Sequence, residues 1–192
     1  MLNGFDKMLV GIEGGLGSGK TADLTRYLIK DRYNGFSILS NYPLYDIPFI
    51  LIEFDDLLDF ANNKMTLQNK TIGIDEITVY IDCRCSGTKR NRLFSYLILQ
   101  SRKRHTNIYY TTQDFALVDW RLIAHTQIKV LCEKIFDNYA NEIDDIRKIT
   151  IFDMRNPKNV NITSRLLDFS KYYPYFDTDT IITPPVNPLK IN

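Results

Sequence analysis

The chain has 192 residues, of which 44% are hydrophobic and 24% charged, and its formal net charge is +1. That is room for one compact core and a tail, with the composition of an ordinary globular protein. No apolar run is long enough to span a bilayer, the first residues, MLNGFDKMLVGIEGG, lack the apolar core and cleavage site of a signal peptide, and three cysteines (Cys83, Cys85, Cys132) suit a reducing interior better than a disulfide scaffold, so a soluble intracellular protein is expected.

In chain order, MLVGIE (8–13) is a short apolar run that breaks into glycines, which reads as a buried strand entering a loop. TADLTRYLIKD (21–31) follows as a helix. FSILSN (36–41) and FILIEF (49–54) read as strands, and DDLLDFANN (55–63) as a helix with acids in its first turn, where the helix dipole favours them. KTIGID (70–75) is a buried strand, RLFSYLILQSRK (92–103) an apolar helix that must be well covered, and NIYYTT (107–112) the next strand. LVDWRLIAHT (117–126) reads as a helix. QIKVLCEKI (127–135) and IRKITIFD (146–153) read as a hairpin joined by a turn over NYANEIDD. The alternation of strand and helix predicts an α/β three-layer sandwich around a mostly parallel sheet. The last forty or so residues, rich in Tyr, Asp, Pro and Asn, are expected to form an extended arm with little regular structure, so the domain is placed at 1–163 and the arm at 164–192.

GGLGSGKT, Gly14 to Thr21, satisfies G-x-x-x-x-G-K-[ST] between a predicted strand and a predicted helix. Gly14, Gly15, Gly17 and Gly19 let the chain curl so that successive backbone N–H groups, with those of Ser18 and Ala22, point at one phosphate. The following helix adds its positive end. In that arrangement Lys20 reaches the β- and γ-phosphates of ATP, and the Thr21 hydroxyl ligates Mg²⁺. Asp75 ends a buried strand, where open α/β sheets bind their ligands, and would hold the Mg²⁺ through water. Glu76 follows as the base that polarises a water for attack on the γ-phosphate, and the Asp-Glu order points to hydrolysis rather than transfer to a small-molecule acceptor.

Gln113 ends the strand after the one bearing Asp75. If the two strands are neighbours, its amide can reach the γ-phosphate or the attacking water. Net charge hides an asymmetry: Arg84, Lys89, Arg90, Arg92, Arg102, Lys103 and Arg104 fall between Cys83 and Gln113 with no acid among them. Such a stretch suits phosphates or another subunit. Arg102 and Arg104 are the candidates for an arginine supplied in trans to a neighbour's nucleotide, with Arg90, Arg92 and Arg121 behind them. The CRC sequence at 83–85 fits no zinc spacing. His125 is read as structural, and Trp120 as a core residue, with stacking on nucleic-acid bases as the alternative.

The order of the loop, LSNYPL (39–44), IDEI (74–77), FSYLILQSRKRHTNIYYTTQ (94–113) and VDWRLI (118–123) resembles the FtsK–HerA superfamily of P-loop ATPases, and within it the Zot-like and viral genome-packaging ATPases. Ser40-Asn41, Arg104-His105 and Gln113 carry the resemblance beyond the general loop, over roughly residues 8–130, and FDTDTII (176–182) is similar to a closing segment of archaeal-virus members. The resemblance implies a P-loop NTPase (RecA/ASCE-like) sheet with a C-terminal hairpin and arm. It implies a homo-oligomeric ring, hexameric with a pentamer as the alternative, that hydrolyses ATP with Mg²⁺, acts on double-stranded DNA and meets a capsid vertex protein. The place of action would be the cytoplasm of an infected host cell, or transiently the procapsid. The alternative it implies is a nucleotide-dependent virion assembly factor that pumps no DNA.

Overall fold

A computed structural model describes residues 8–61, 68–81, 83–85, 94–98, 101–177 and 182. Its centre is an eight-stranded sheet in the order β3-β2-β4-β5-β1-β6-β7-β8. The strands are β1 (Leu9–Glu13), β2 (Ser37–Ser40), β3 (Phe49–Leu51), β4 (Lys70–Ile74), β5 (Asn107–Thr112), β6 (Ile128–Phe136), β7 (Glu142–Asp153) and β8 (Asn161–Asp168). From β3 to β6 every neighbouring pair is parallel, and β7 and β8 are added antiparallel. The helices are α1 (Lys20–Tyr33), α2 (Phe54–Ala61), the helical residues 94–98 (α3) and α4 (Trp120–His125).

Side chains alternate across a strand, and here the alternation separates two cores. Leu9, Leu39, Ile72, Ile74, Ile108 and Tyr110 face one side, where they meet Leu57 and Phe60 of α2, Phe94, Leu97 and Ile98 of α3, and Leu122 of α4. Val10, Ile12, Ile38 and Tyr109 face the other, against Ala22, Leu24, Tyr27 and Leu28 of α1 and against Phe169 and Phe176 from the C-terminal segment. The sheet is thus covered on both faces, as parallel strands require. The approach of α1 is close: a Cβ on Gly73 would stand 2.6 Å from the Leu28 side chain. The C-terminal end of α1 is fixed by Asp31, whose Oδ2 accepts hydrogen bonds from Thr71, Asn107 and Tyr109, one residue from β4 and two from β5.

Three expectations are corrected. The turn between β6 and β7 is only residues 137–141, closed by Asp137 N–H to the Asn141 carbonyl at 2.9 Å, and Glu142 to Asp145 already belong to β7. Residues 161–168 form β8 rather than irregular chain, paired with β7 along its whole length. Trp120 does not enter the core: it opens α4 with 69% of its surface exposed, because the inward turn of that helix is taken by Leu122.

Candidate functional site

The loop 14–19 leaves β1 and enters α1. Gly14 N–H donates to the Thr112 carbonyl at 3.3 Å, which seats the start of the loop on the end of β5. Gly17 and Gly19 have φ of 69° and 89°, a left-handed backbone that favours glycine. At Gly19 space adds a second reason, since a Cβ there would lie 2.8 Å from the Phe169 ring. The turn brings Lys20, the first residue of α1, back over the loop, where its buried Nζ donates to the Gly15 carbonyl at 2.9 Å. The Ser18 hydroxyl is buried with no hydrogen-bond partner. Ala22 packs in the core one turn below. A glycine-rich loop, a helix N-terminus and one lysine make a cradle for an anion.

The acidic side is built across three strands. In the β4–β5 register Ile74 lies opposite Tyr110, so the next residues, Asp75 and Thr111, meet at the strand ends. Thr111 Oγ1 donates to Asp75 Oδ1 at 2.6 Å and accepts the Glu76 N–H at 2.8 Å. From the other flank, the Asn41 side chain accepts the Asp75 N–H at 2.8 Å and donates to its carbonyl at 2.9 Å, extending the ladder beyond β2. Thr21 of α1 donates to the two carboxylate oxygens at 3.1 and 3.3 Å. Burial pushes the Asp75 carboxyl above its ordinary range, and the Thr111 and Thr21 hydroxyls pull it back part of the way. Glu76 then adopts φ 50°, ψ 65°, an uncommon conformation for a residue with a side chain, and its carboxylate accepts the Thr78 hydroxyl at 2.5 Å.

These two sides line one cleft of about 670 Å³, of a size suited to a small molecule. Gly17, Ser18, Gly19, Lys20, Thr21, Ala22, Asp75 and Glu76 all border it. Thr21 and Asp75 also fit a magnesium ion: a hydroxyl and a carboxylate face each other at the open end of the loop. Mg²⁺ keeps most of its waters and takes only one or two protein oxygens. A closed metal site is a different matter, since no group of three His, Cys, Asp or Glu side chains converges among the described residues.

The other sequence candidates are distributed differently. Gln113 follows β5 directly, on the strand between those carrying Asp75 and the glycine loop, but it is exposed and does not border the cleft. Arg102 to Arg104 form a short 3-10 turn at the opposite end of β5. The Arg104 guanidinium donates to the Phe60 carbonyl of its own chain at 3.2 Å, closing the last turn of α2. Arg121 forms a two-pronged pair with Asp119 at the start of α4. Arg90 and Arg92 lie outside the described residues. Gly14 and Gly15 shape the loop without bordering the cleft.

Several residues in or behind the cleft have no role assigned from the sequence, and Asn41 stands out there only through the Ser40-Asn41 pair. Thr111 and Asn41 act on Asp75 only because β2 and β5 flank β4. Arg147 of β7 reaches the loop, donating to the Gly17 carbonyl at 3.3 Å, and Tyr173, Phe176 and Asp177 come from the segment expected to be irregular. A polar residue closing an otherwise apolar strand, as Thr111 does, is the available clue to the first.

No protein-family model matches the chain, and no curated protein matches it in sequence. Solved structures do. The N-terminal domain of zonular occludens toxin from Neisseria meningitidis superposes with a TM-score of 0.61 at 17% identity, covering 90% of this chain and 100% of that one. The genome packaging NTPase B204 from Sulfolobus turreted icosahedral virus 2, in complex with AMPPCP, gives 0.58 at 10% identity over 81% of this chain and 96% of that one. A DnaB-like replicative helicase gives 0.57 at 12% identity, over 88% of this chain and 57% of that one. At these identities the likeness concerns architecture, and together with the loop and sheet order it establishes that the chain has the P-loop NTPase fold.

Proposed function

We propose that this protein is a Mg²⁺-dependent ATPase that translocates double-stranded DNA as an oligomeric ring, in the packaging of a viral or mobile-element genome. The observation that carries the ATPase reading is the Thr21–Asp75–Thr111 hydrogen-bonded set beneath the glycine loop, with Glu76 adjoining it in a left-handed backbone. In this reading Lys20 gives up the Gly15 carbonyl for the β- and γ-phosphates, and Thr21 and Asp75 hold the ion, Asp75 through water. Mg²⁺, when bound, offsets charge on the β- and γ-oxygens. Glu76 accepts a proton from water as the water oxygen bonds to the γ-phosphorus. The bond from that phosphorus to the β–γ bridging oxygen breaks, its electron pair leaves with ADP, and inorganic phosphate is released.

DNA as the partner is supported by the run of Arg84, Lys89, Arg90, Arg92, Arg102, Lys103 and Arg104 without an intervening acid, and by the likeness to a genome packaging NTPase. Gln113 reports the γ-phosphate once its side chain turns toward the loop. The activating arginine comes in trans, from Arg102 or Arg104, since both lie a strand's length from their own cleft. In a hexamer or pentamer this end faces the next subunit. A capsid vertex protein is the docking partner, and the sites of action are the host cytoplasm and the procapsid. A second reading, a nucleotide-dependent assembly factor, draws on the full overlap with the zonular occludens toxin domain. No helix among the described residues is long and apolar enough to cross a membrane.

Phosphate release with and without duplex DNA separates the two. Stimulation by DNA that declines steeply with added salt supports translocation. Turnover indifferent to DNA refutes it and favours the assembly factor.

A further inference from the structure

The cleft has a second end, built from parts of the chain remote from the glycine loop. Phe169 is fully buried against Gly19, and its ring meets Tyr172 edge-on with centroids 6.1 Å apart. The 3-10 turn Ser170–Tyr175 then crosses to the loop after β2, where Tyr45 N–H donates to the Tyr175 carbonyl at 2.8 Å and Phe176 bridges to Leu44. Tyr173 and Phe176 pack edge-to-face at 6.3 Å, and both border the cleft. Arg147, 7% exposed, donates to the Ile143, Ile146 and Gly17 carbonyls and pairs with Glu142 at 2.9 Å, yet its Nε is buried without a partner.

From this arrangement we infer that the segment 169–177, with Arg147, is the nucleoside wall of the site. Tyr173 contacts an aromatic base, Asp177 accepts from sugar hydroxyls, and Arg147 adds a cation beside the phosphates. The inference rests on the phosphate reading of the glycine loop. With the phosphates held at that loop, the rest of the ligand lies along the remaining walls, where Tyr42, Tyr173 and Phe176 supply aromatic surface beside Leu16, Arg147 and Asp177. An inorganic polyphosphate would meet Arg147 but would use neither the aromatic rings nor Asp177. Because Phe169 rests on Gly19 and Arg147 on Gly17, the wall and the phosphate loop are mechanically one unit, so the base and the phosphates are held in fixed relation.

The test is calorimetric titration of the full chain with Mg²⁺ and two ligands, a nonhydrolysable ATP analogue and inorganic tripolyphosphate. Losing one base–aromatic stack weakens binding by about tenfold or more. Tyr173→Ala is therefore expected to weaken the analogue about tenfold and tripolyphosphate less than twofold, while Tyr173→Phe retains both. Asp177→Asn, at an exposed side chain, weakens the analogue severalfold and spares tripolyphosphate. Variants that leave the analogue's affinity unchanged overturn the inference, as does a parallel loss of both ligands, which would assign the segment a purely structural role. A wild-type chain that binds tripolyphosphate as tightly as the analogue refutes the wall alone. A wild-type chain that binds neither refutes the phosphate loop itself.

Discussion

Thr111→Val removes one oxygen and almost no volume, and it acts on both acidic residues at once. The Thr111 hydroxyl is 2.6 Å from Asp75 Oδ1 and 2.8 Å from the Glu76 nitrogen. A hydrogen bond to a charged group contributes about 1.5–3 kcal/mol. If that bond holds Asp75 for the reaction, its loss lowers kcat about tenfold to a hundredfold, at about 1.4 kcal/mol per decade. The Glu76 N–H loses its acceptor as well, a cost of about 1–3 kcal/mol, which for a chain of this size lowers Tm by about 2–12 °C. The same hydroxyl pulls the Asp75 carboxyl down against the effect of burial. Without it the carboxyl rises, and the acid limb of the pH profile moves to higher pH. The assay is steady-state phosphate release across pH, with Thr111→Ser as the restoring variant. A valine enzyme within twofold of wild type, with an unmoved acid limb, would refute the reasoning.

Asp75→Asn is expected to abolish hydrolysis yet raise Tm at pH 7 in magnesium-free buffer. A carboxyl raised by burial contributes stability that is fully present below its unfolded value and lost as pH rises through its folded value, so the gain from Asn is full at neutral pH and fades as acid protonates the wild type. Thermal melts from pH 4 to 8 check the sign. Gly19→Ala places a side chain at φ 89° and 2.8 Å from Phe169. A left-handed residue with a Cβ costs about 1–2 kcal/mol before any clash, so Tm falls and binding of the ATP analogue is lost, whereas Gly15→Ala, whose Cβ would meet nothing within 4 Å, leaves Tm unchanged. Equal melting temperatures for the two alanine variants would contradict the account of the loop.

Most of the parallel sheet is legible in the sequence because its strands are buried on both faces and stand out as apolar runs, as β1, β4 and β5 do. β8 is not: NITSRLLD lies at the sheet edge, exposed along most of its length, so nothing selects an apolar pattern there. The convergence of Lys20, Thr21 and Asp75 on one cleft is legible because it follows from spacing within one turn or one strand end. Asn41 is marked in the sequence by the Ser40-Asn41 pair, but its hold on Asp75, like that of Thr111, depends on which strands are neighbours, and the reach of Arg147 depends on an antiparallel strand folding back to Gly17, relations that local spacing does not encode. Trp120 departs from what its type suggests, since aromatic area predicts burial only where the helix turns that position inward. Arg104 stands out in the sequence by its charge, and the structure gives it a partner within its own chain, the Phe60 carbonyl.

The central claim is that Glu76 activates water at a site assembled by Lys20, Thr21 and Asp75. Glu76→Gln preserves shape and removes the base, so the direct measurement is phosphate release by this variant alongside its affinity for Mg²⁺ and ATP. The account predicts turnover reduced by at least a hundredfold, in line with the loss of a general base, with nucleotide affinity within about threefold of wild type, since affinity rests on the loop. A Glu76→Gln protein that releases phosphate at the wild-type rate would contradict it.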